Sequence, residues 1–141
     1  MKTIICGPRD FDDYDELCVA IEKSGFDISE VVSGGASGVD KMGERWAREN
    51  GAKVSVFKAE WNDISHPEAL VKTNSYGKYN AKAGFIRNEE MALYAEGCVA
   101  IDTGSNGTAD MIRRSEEREL KLYCHPPYES DIMDVAKGVK F

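Results

Sequence analysis

The sequence predicts an α/β fold: a parallel sheet of about five strands in the order 3-2-1-4-5, with helices on both faces. Three observations carry this expectation. Short apolar, often β-branched runs alternate with stretches of helical periodicity. Glycines stand where several of those stretches end. One long connection, residues 58–83, lies where the chain would have to recross the sheet. Strands alternating with helices call for a parallel sheet covered on both faces.

The elements follow in order. "KTIIC" (2–6) reads as a buried strand that breaks at "GPRDF". In "DDYDELCVAIEKSG", Tyr14, Leu17, Cys18 and Ile21 share one helical face. Asp13 with Glu16 has the form of a helix start, and Gly25 that of a stop. "EVVSGG" supplies a second strand, and "GVDKMGERWARENG" a helix with Val39, Met42, Trp46 and Ala47 inward and Gly51 after it. "KVSVF" (53–57) is a third strand. "GCVAID" (97–102) is a fourth, after the helical "GFIRNEEMALYAE". "LKLYC" (120–124) is a fifth, after the helical "NGTADMIRRSEERE". Segment 58–83 has little apolar periodicity and many turn formers, so it is expected to be a long crossover loop. Residues 125–141 are left as a tail without assigned structure, and 1–141 as a single domain.

Bulk properties narrow the function classes. The chain has 141 residues and a net charge of −7. Nucleic acid is therefore a disfavoured partner, because phosphate backbones are met by clustered Lys and Arg. No apolar run reaches the roughly 18 residues of a membrane span, and "MKTIICGPRD" has no signal-peptide form, which points to a cytoplasmic protein with no membrane partner. Cys6, Cys18, Cys98 and Cys124 are widely spaced and are expected to be reduced structural thiols. No metal site is expected. His66 and His125, each followed by proline, read as loop residues.

In an open parallel sheet, ligands bind outside the carboxyl ends of the strands where the winding reverses. The order 3-2-1-4-5 puts that crevice between the first and fourth strands. Three turns converge there: "GPRDF" with Gly7, Arg9 and Phe11; "SGGASGVD" with Ser33, Gly34, Gly35, Ala36, Ser37, Gly38 and Asp40; and "DTGSNGT" with Gly104, Ser105, Asn106, Gly107 and Thr108. Glycines let backbone approach a ligand without a Cβ between them, and a helix N-terminus offers free amides and partial positive charge to a phosphate. Two anion cradles are thus expected, "GGASG" and "GSNGT", with Arg9 assisting. Each piece also has a purely structural reading. Ser37 and Asp40 fit an S-x-x-D helix start, Gly34 and Gly35 a tight turn, Arg9 a surface charge and Phe11 a core residue. Neither a dinucleotide fingerprint nor a P-loop is present, since Gly7 is followed by Pro8 and no G-K-[ST] follows the glycines.

Taken together, "GPRDF", "VVSGGASGVDKMGERWA", "GKYNAKAGFIRNEEM" and "GSNGTADMI" resemble the YspA-type branch of the SLOG superfamily, whose members include the DNA-processing Smf/DprA proteins and the LOG phosphoribohydrolases. The resemblance runs to about Cys124 and implies a Rossmann-like domain that binds nucleotides or their derivatives. The hydrolytic LOG pattern has R-K-x-x-M followed by P-G-G-x-G-T-x-x-E. Here Arg87 and Met91 match, Asn88 replaces the lysine, and Gly107 and Thr108 match the G-T. The glutamate falls on Met111, with Asp110 beside it and about 100° away on the helix. A carboxylate is what stabilises an oxocarbenium-like centre, and methionine has none.

The leading expectation is therefore a non-catalytic module that binds a nucleotide-like small molecule as a sensor or sequestering protein, with no cofactor required. The alternative is a hydrolase of N-glycosidic or phosphoester bonds, with Asp40, Arg87 and Asp110 as catalytic candidates. Single-stranded DNA binding ranks below both. Arg87 reads as opening its helix beside the crevice, pairing either with a ligand or with Glu89 or Glu90. Asn88 can bond a ligand or a neighbouring loop, and Trp61, Tyr76 and Tyr79 can stack on a base or pin the long connection to the core. A homo-oligomer is a further expectation, since Trp46 and Tyr94 lack an evident place.

Overall fold

The computed structural model describes residues 1–126. In chain order the elements are β1 (Lys2–Cys6), α1 (Tyr14–Ser24), β2 (Glu30–Ser33), α2 (Val39–Asn50), β3 (Lys53–Val56), β4 (Val71–Asn74), β5 (Gly77–Asn80), α3 (Ala83–Tyr94), β6 (Gly97–Ile101), α4 (Asn106–Glu117) and β7 (Lys121–His125). A five-stranded sheet has the order β3-β2-β1-β6-β7 with every neighbouring pair parallel. Those five strands are the five expected, in the expected order.

The register explains why the central strands are apolar throughout. Ile4 pairs with both Val32 and Cys98, and Ile5 with Val99. Side chains alternate faces along a strand. Ile5, Val31, Val99 and Ile101 therefore meet Leu17, Ala20 and Ile21 of α1 and Val39 and Ala47 of α2. Ile4, Cys6, Val32, Cys98 and Ala100 meet Met91 and Ala92 of α3 and Met111 of α4. Each fully buried Ile, Leu or Val contributes about 1.5–3 kcal/mol of transfer free energy, so the two small cores hold four helices on the sheet.

The helix boundaries follow the chemistry of their ends. Asp13 caps α1 by accepting the Glu16 N–H at 3.1 Å, and Gly25 and Gly51 close α1 and α2 in the left-handed conformation. α2 departs from its expected start. Its cap is Gly38 rather than Ser37, whose hydroxyl instead reaches the Arg9 carbonyl, and Asp40 accepts the Ala36 N–H. α3 begins at Ala83, one residue before the helical run read from Gly84, so Arg87 does not open the helix but sits inside it, away from its dipolar end.

Two further differences concern the connections. Segment 58–83 is not loop throughout: β4 and β5 form an antiparallel hairpin in which Asn74 pairs with Gly77. Its strands, "VKTN" and "GKYN", are too polar to show an alternation of apolar residues. His125 is not a loop residue but the buried last residue of β7, with Nε2 2.6 Å from Glu16 Oε2 and Nδ1 2.9 Å from the Tyr123 hydroxyl. His66 does lie in a loop, its Nδ1 accepting the Glu68 N–H. The tail after Pro126 lies outside the described residues.

The four cysteines are free; Cys6 and Cys98 are buried, Cys18 is half-buried and Cys124 is exposed. Contact with the Cys98 thiol, together with burial, pushes the Cys6 thiol well above its usual range. Among the described residues no helix is long and apolar enough to cross a membrane, and no cluster of His, Cys, Asp and Glu could hold a metal ion. Trp46 packs against the core, and the Tyr94 hydroxyl donates to Glu30 at 2.6 Å.

Candidate functional site

β1 lies between β2 and β6, so the winding reverses at β1. Outside the carboxyl ends of β1 and β6 lies a crevice of about 590 Å³, a size suited to a small molecule. The β1–α1 turn contributes Gly7, Pro8, Arg9 and Asp10; the β2–α2 turn and the first turn of α2 Gly34, Ala36 and Asp40; the cap and N-terminal half of α4 Ser105, Gly107, Thr108 and Met111. α3 presents Gly84, Arg87, Asn88 and Met91 at helical spacing. Trp61 and Phe85 complete the apolar wall.

Of the residues singled out from the sequence, Gly7, Arg9, Gly34, Ala36, Asp40, Arg87, Asn88, Ser105, Gly107 and Thr108 line this crevice. The others lie elsewhere. Phe11 is part of the core beneath α1 and α2. Ser33 is buried, donating to Glu44 Oε2 at 2.6 Å and accepting the Gly35 N–H at 3.0 Å. Gly35, Ser37, Gly38, Gly104 and Asn106 do not line the crevice. Met91 and Gly84 were not singled out as ligand contacts, although their spacing of four and three from Arg87 was there to read. Phe85 and Pro8 carried no comparable signal.

The two turns expected to cradle an anion differ. In the β2–α2 turn three amides are engaged: Gly35 N–H by Ser33 Oγ, Ala36 N–H by Asp40 Oδ2 at 3.1 Å, and Val39 N–H by the Pro8 carbonyl at 3.3 Å. Gly38 has φ 72°, and a Cβ there would stand 2.4 Å from the Pro8 oxygen, so the loop is pressed onto the β1–α1 turn. At the start of α4 no side chain caps the helix. The Ser105 hydroxyl donates to Thr108 Oγ1 at 2.7 Å, which leaves the Gly107 and Thr108 amides with no acceptor among the described residues. A Cβ at Gly107 would meet nothing within 4 Å. The α4 end is the open one.

Charge within the crevice is specific. Burial pushes the Asp40 carboxyl up to about 6, opposed by the Ala36 N–H and the Arg87 charge. Arg87 is half-buried; its Nη1 donates to the Gly34 carbonyl at 2.6 Å and to Phe57 O at 3.3 Å, and its Nε to Asn88 Oδ1 at 3.1 Å. Burial lowers the Arg87 pKa. Neither Glu89 nor Glu90 pairs with it, because Glu89 pairs with Arg114 and Arg118. Gly34 is wedged in between: a Cβ there would stand 2.8 Å from both Arg87 Nη1 and Asp40 Oδ2.

The remaining candidates are occupied. Asn88 Nδ2 donates to Asp110 Oδ2 at 3.0 Å, tying α3 to α4. Asp110 also takes Arg113 and Arg114, both at 2.8 Å, and does not line the crevice. At the position of the LOG glutamate, Met111 is a buried apolar part of the wall.

Known proteins resemble this chain in part of its sequence and in its fold. Residues 1–63 match the model of the YspA, cpYpsA-related SLOG family, so the resemblance read from the sequence holds over that span. Among solved structures, the DNA processing protein A (DprA) from Streptococcus pneumoniae matches with a TM-score of 0.63 at 19% identity, over 87% of this chain and 49% of that one. The likeness is one of fold, and the chain spans about half of that protein's length. No curated protein matches.

Proposed function

We propose, from the premise that this chain is similar to the YspA, cpYpsA-related SLOG family over residues 1–63, that the crevice binds a nucleotide or nucleotide-derived small molecule as a sensor or sequestering module. The observation that carries the reading is the open start of α4, facing a crevice with both an arginine and an apolar wall. A phosphate takes the Gly107 and Thr108 amides and draws Arg9, which is exposed at the rim. Hydrogen bonds to a charged group contribute roughly 1.5–3 kcal/mol each. The base lies against Pro8, Trp61, Phe85 and Met111, where stacking adds about 1–3 kcal/mol. Asp10 and Asp40 are placed to accept from sugar hydroxyls. Arg87 shapes the site by holding the Gly34 carbonyl.

Thermal-shift and calorimetric titration with AMP, ADP-ribose, NAD and cyclic dinucleotides tests this. At least one stabilises the protein, and Arg9→Ala weakens it. No stabilisation by any of them removes the proposal.

A hydrolytic reading has one observation in its favour: a crevice-facing carboxyl, Asp40, whose protonation changes near neutral pH, the range in which general acids and bases work. Against it stand Met111 in the wall and Asp110 bound into an ion-pair network. Chromatography of AMP after incubation with concentrated protein separates the two, since only the enzyme releases free base. DNA handling, the role for which the structural neighbour is named, predicts a mobility shift with single-stranded DNA at low salt; the acidic net charge weighs against it.

A further inference from the structure

Trp61 belongs to two hollows. It lines the crevice, where its indole packs beside Gly84 at the start of α3, and it also lines a neighbouring groove of about 410 Å³. The other walls of that groove are Asn62, Asn74, Tyr76, Lys78 and Tyr79, all but the first from the β4–β5 hairpin and its turn. We propose that this groove is a second subsite, and that the ligand is of the dinucleotide class: two nucleosides joined through phosphate, one held in the crevice and the other against the hairpin. The inference rests on the nucleotide reading of the crevice and narrows it.

Charge supports this first. Between Glu68 and Glu89 the sequence has no carboxylate, yet it carries Lys72, Lys78, Lys82 and Arg87 in a chain of net charge −7. Among the described residues the three lysines form no salt bridge. A locally basic element on an acidic protein selects an anion at that place. Shape supports it next. Tyr76 is 97% exposed at the hairpin turn and Trp61 42% exposed, so Tyr76 does not pin the connection to the core. Exposed aromatic rings beside ammonium groups accept a base face and its phosphate together.

The hairpin is also held in place. Asn80 is buried, its N–H donates to the Trp61 carbonyl at 2.7 Å, and its side-chain oxygen accepts from the amides of Leu70 and Lys82. The Ala81 N–H returns to the Leu70 carbonyl. The groove is thus tied through backbone to Trp61 and to the start of α3, whose face lines the crevice. A ligand reaching both hollows meets surfaces fixed relative to each other, which lowers the cost of ordering on binding.

The test is calorimetric titration of AMP, 5′-phosphorylated diadenylate, pyrophosphate-linked diadenosine and a tetra-adenylate, on the native protein and on the Tyr76→Ala/Lys78→Ala double variant. Both substituted side chains are outside the crevice. Either dinucleotide binds at least tenfold more tightly than AMP, and the double variant abolishes that advantage while leaving AMP affinity unchanged. An advantage for one linkage alone supports the inference and identifies the bridge. The inference is overturned if AMP binds and neither dinucleotide binds better, or if the advantage survives in the double variant. A further tenfold gain with tetra-adenylate also overturns it, by making the groove part of a path for a single strand. Binding by none of the four removes the crevice reading as well, which distinguishes the two failures.

Discussion

The β2–α2 turn and the start of α4 look alike in sequence, both rich in glycine and serine before a helix, but they use their backbone differently. In the first, Ser33, Asp40 and the Pro8 carbonyl take the amides of Gly35, Ala36 and Val39, and the loop is locked onto the β1–α1 turn. In the second, no side-chain cap bond forms, and Gly107 and Thr108 line the crevice. Glycine content therefore does not locate an anion site. What locates it is whether the turn has already satisfied its own donors, because an amide bonded within the protein has little left to offer a ligand.

The largest expected effect is at Gly38. A Cβ there meets the Pro8 and Arg9 carbonyl oxygens at 2.4 and 2.5 Å, on a backbone with φ 72°. Gly38→Ala is expected to destabilise the protein by about 3 kcal/mol, combining left-handed strain with displacement of the first turn; chemical denaturation measures it. An unchanged midpoint would mean that the two turns are not locked together.

Next comes Asp40. Its carboxyl is raised to about 6 in the folded protein, above its unfolded value. Its contribution to stability is therefore fully present below about pH 4 and is lost as pH rises through about 6. The loss is on the order of 2–3 kcal/mol. Asp40→Asn keeps an acceptor for the Ala36 N–H and is expected to flatten the stability curve between pH 4 and 7. A curve with the native slope would contradict the assignment of that titration to Asp40.

Asp110 sharpens the contrast between a structural and a catalytic carboxylate. Asp110→Ala removes the partner of Asn88, Arg113 and Arg114, so a loss of about 1–3 kcal/mol is expected, with nucleotide affinity changed less than threefold. A greater loss of binding than of stability would return Asp110 to the site.

The smallest change in stability is predicted at the open turn. Gly107→Asp places a carboxylate in the first turn of α4, where the helix dipole favours it by about 0.3–1 kcal/mol. Melting temperature should hold or rise slightly, while affinity for a phosphate-bearing nucleotide falls at least tenfold by repulsion.

The sheet order was legible because the punctuation is local: Asp13 and Gly25 mark the ends of α1 within its own sequence, and residues 58–83 announce the recrossing. The hairpin was not, since Thr73, Asn74, Lys78 and Asn80 have no apolar face to reveal a strand. Most of the crevice lining was legible as motif residues. Which amides are free was not, because that depends on bonds such as Val39 to Pro8 that join turns distant in sequence. Ser37 and Asp40 fitted a helix start, but the neighbouring turn drew Ser37 away to Arg9.

The most direct test is an amide chemical-shift map of the ¹⁵N-labelled protein titrated with AMP. The largest backbone changes are expected at Gly107 and Thr108, with smaller ones at Gly35 and Ala36. Shifts concentrated on Gly35 and Ala36 while Gly107 and Thr108 stay unmoved would contradict the assignment of the anion site to the start of α4.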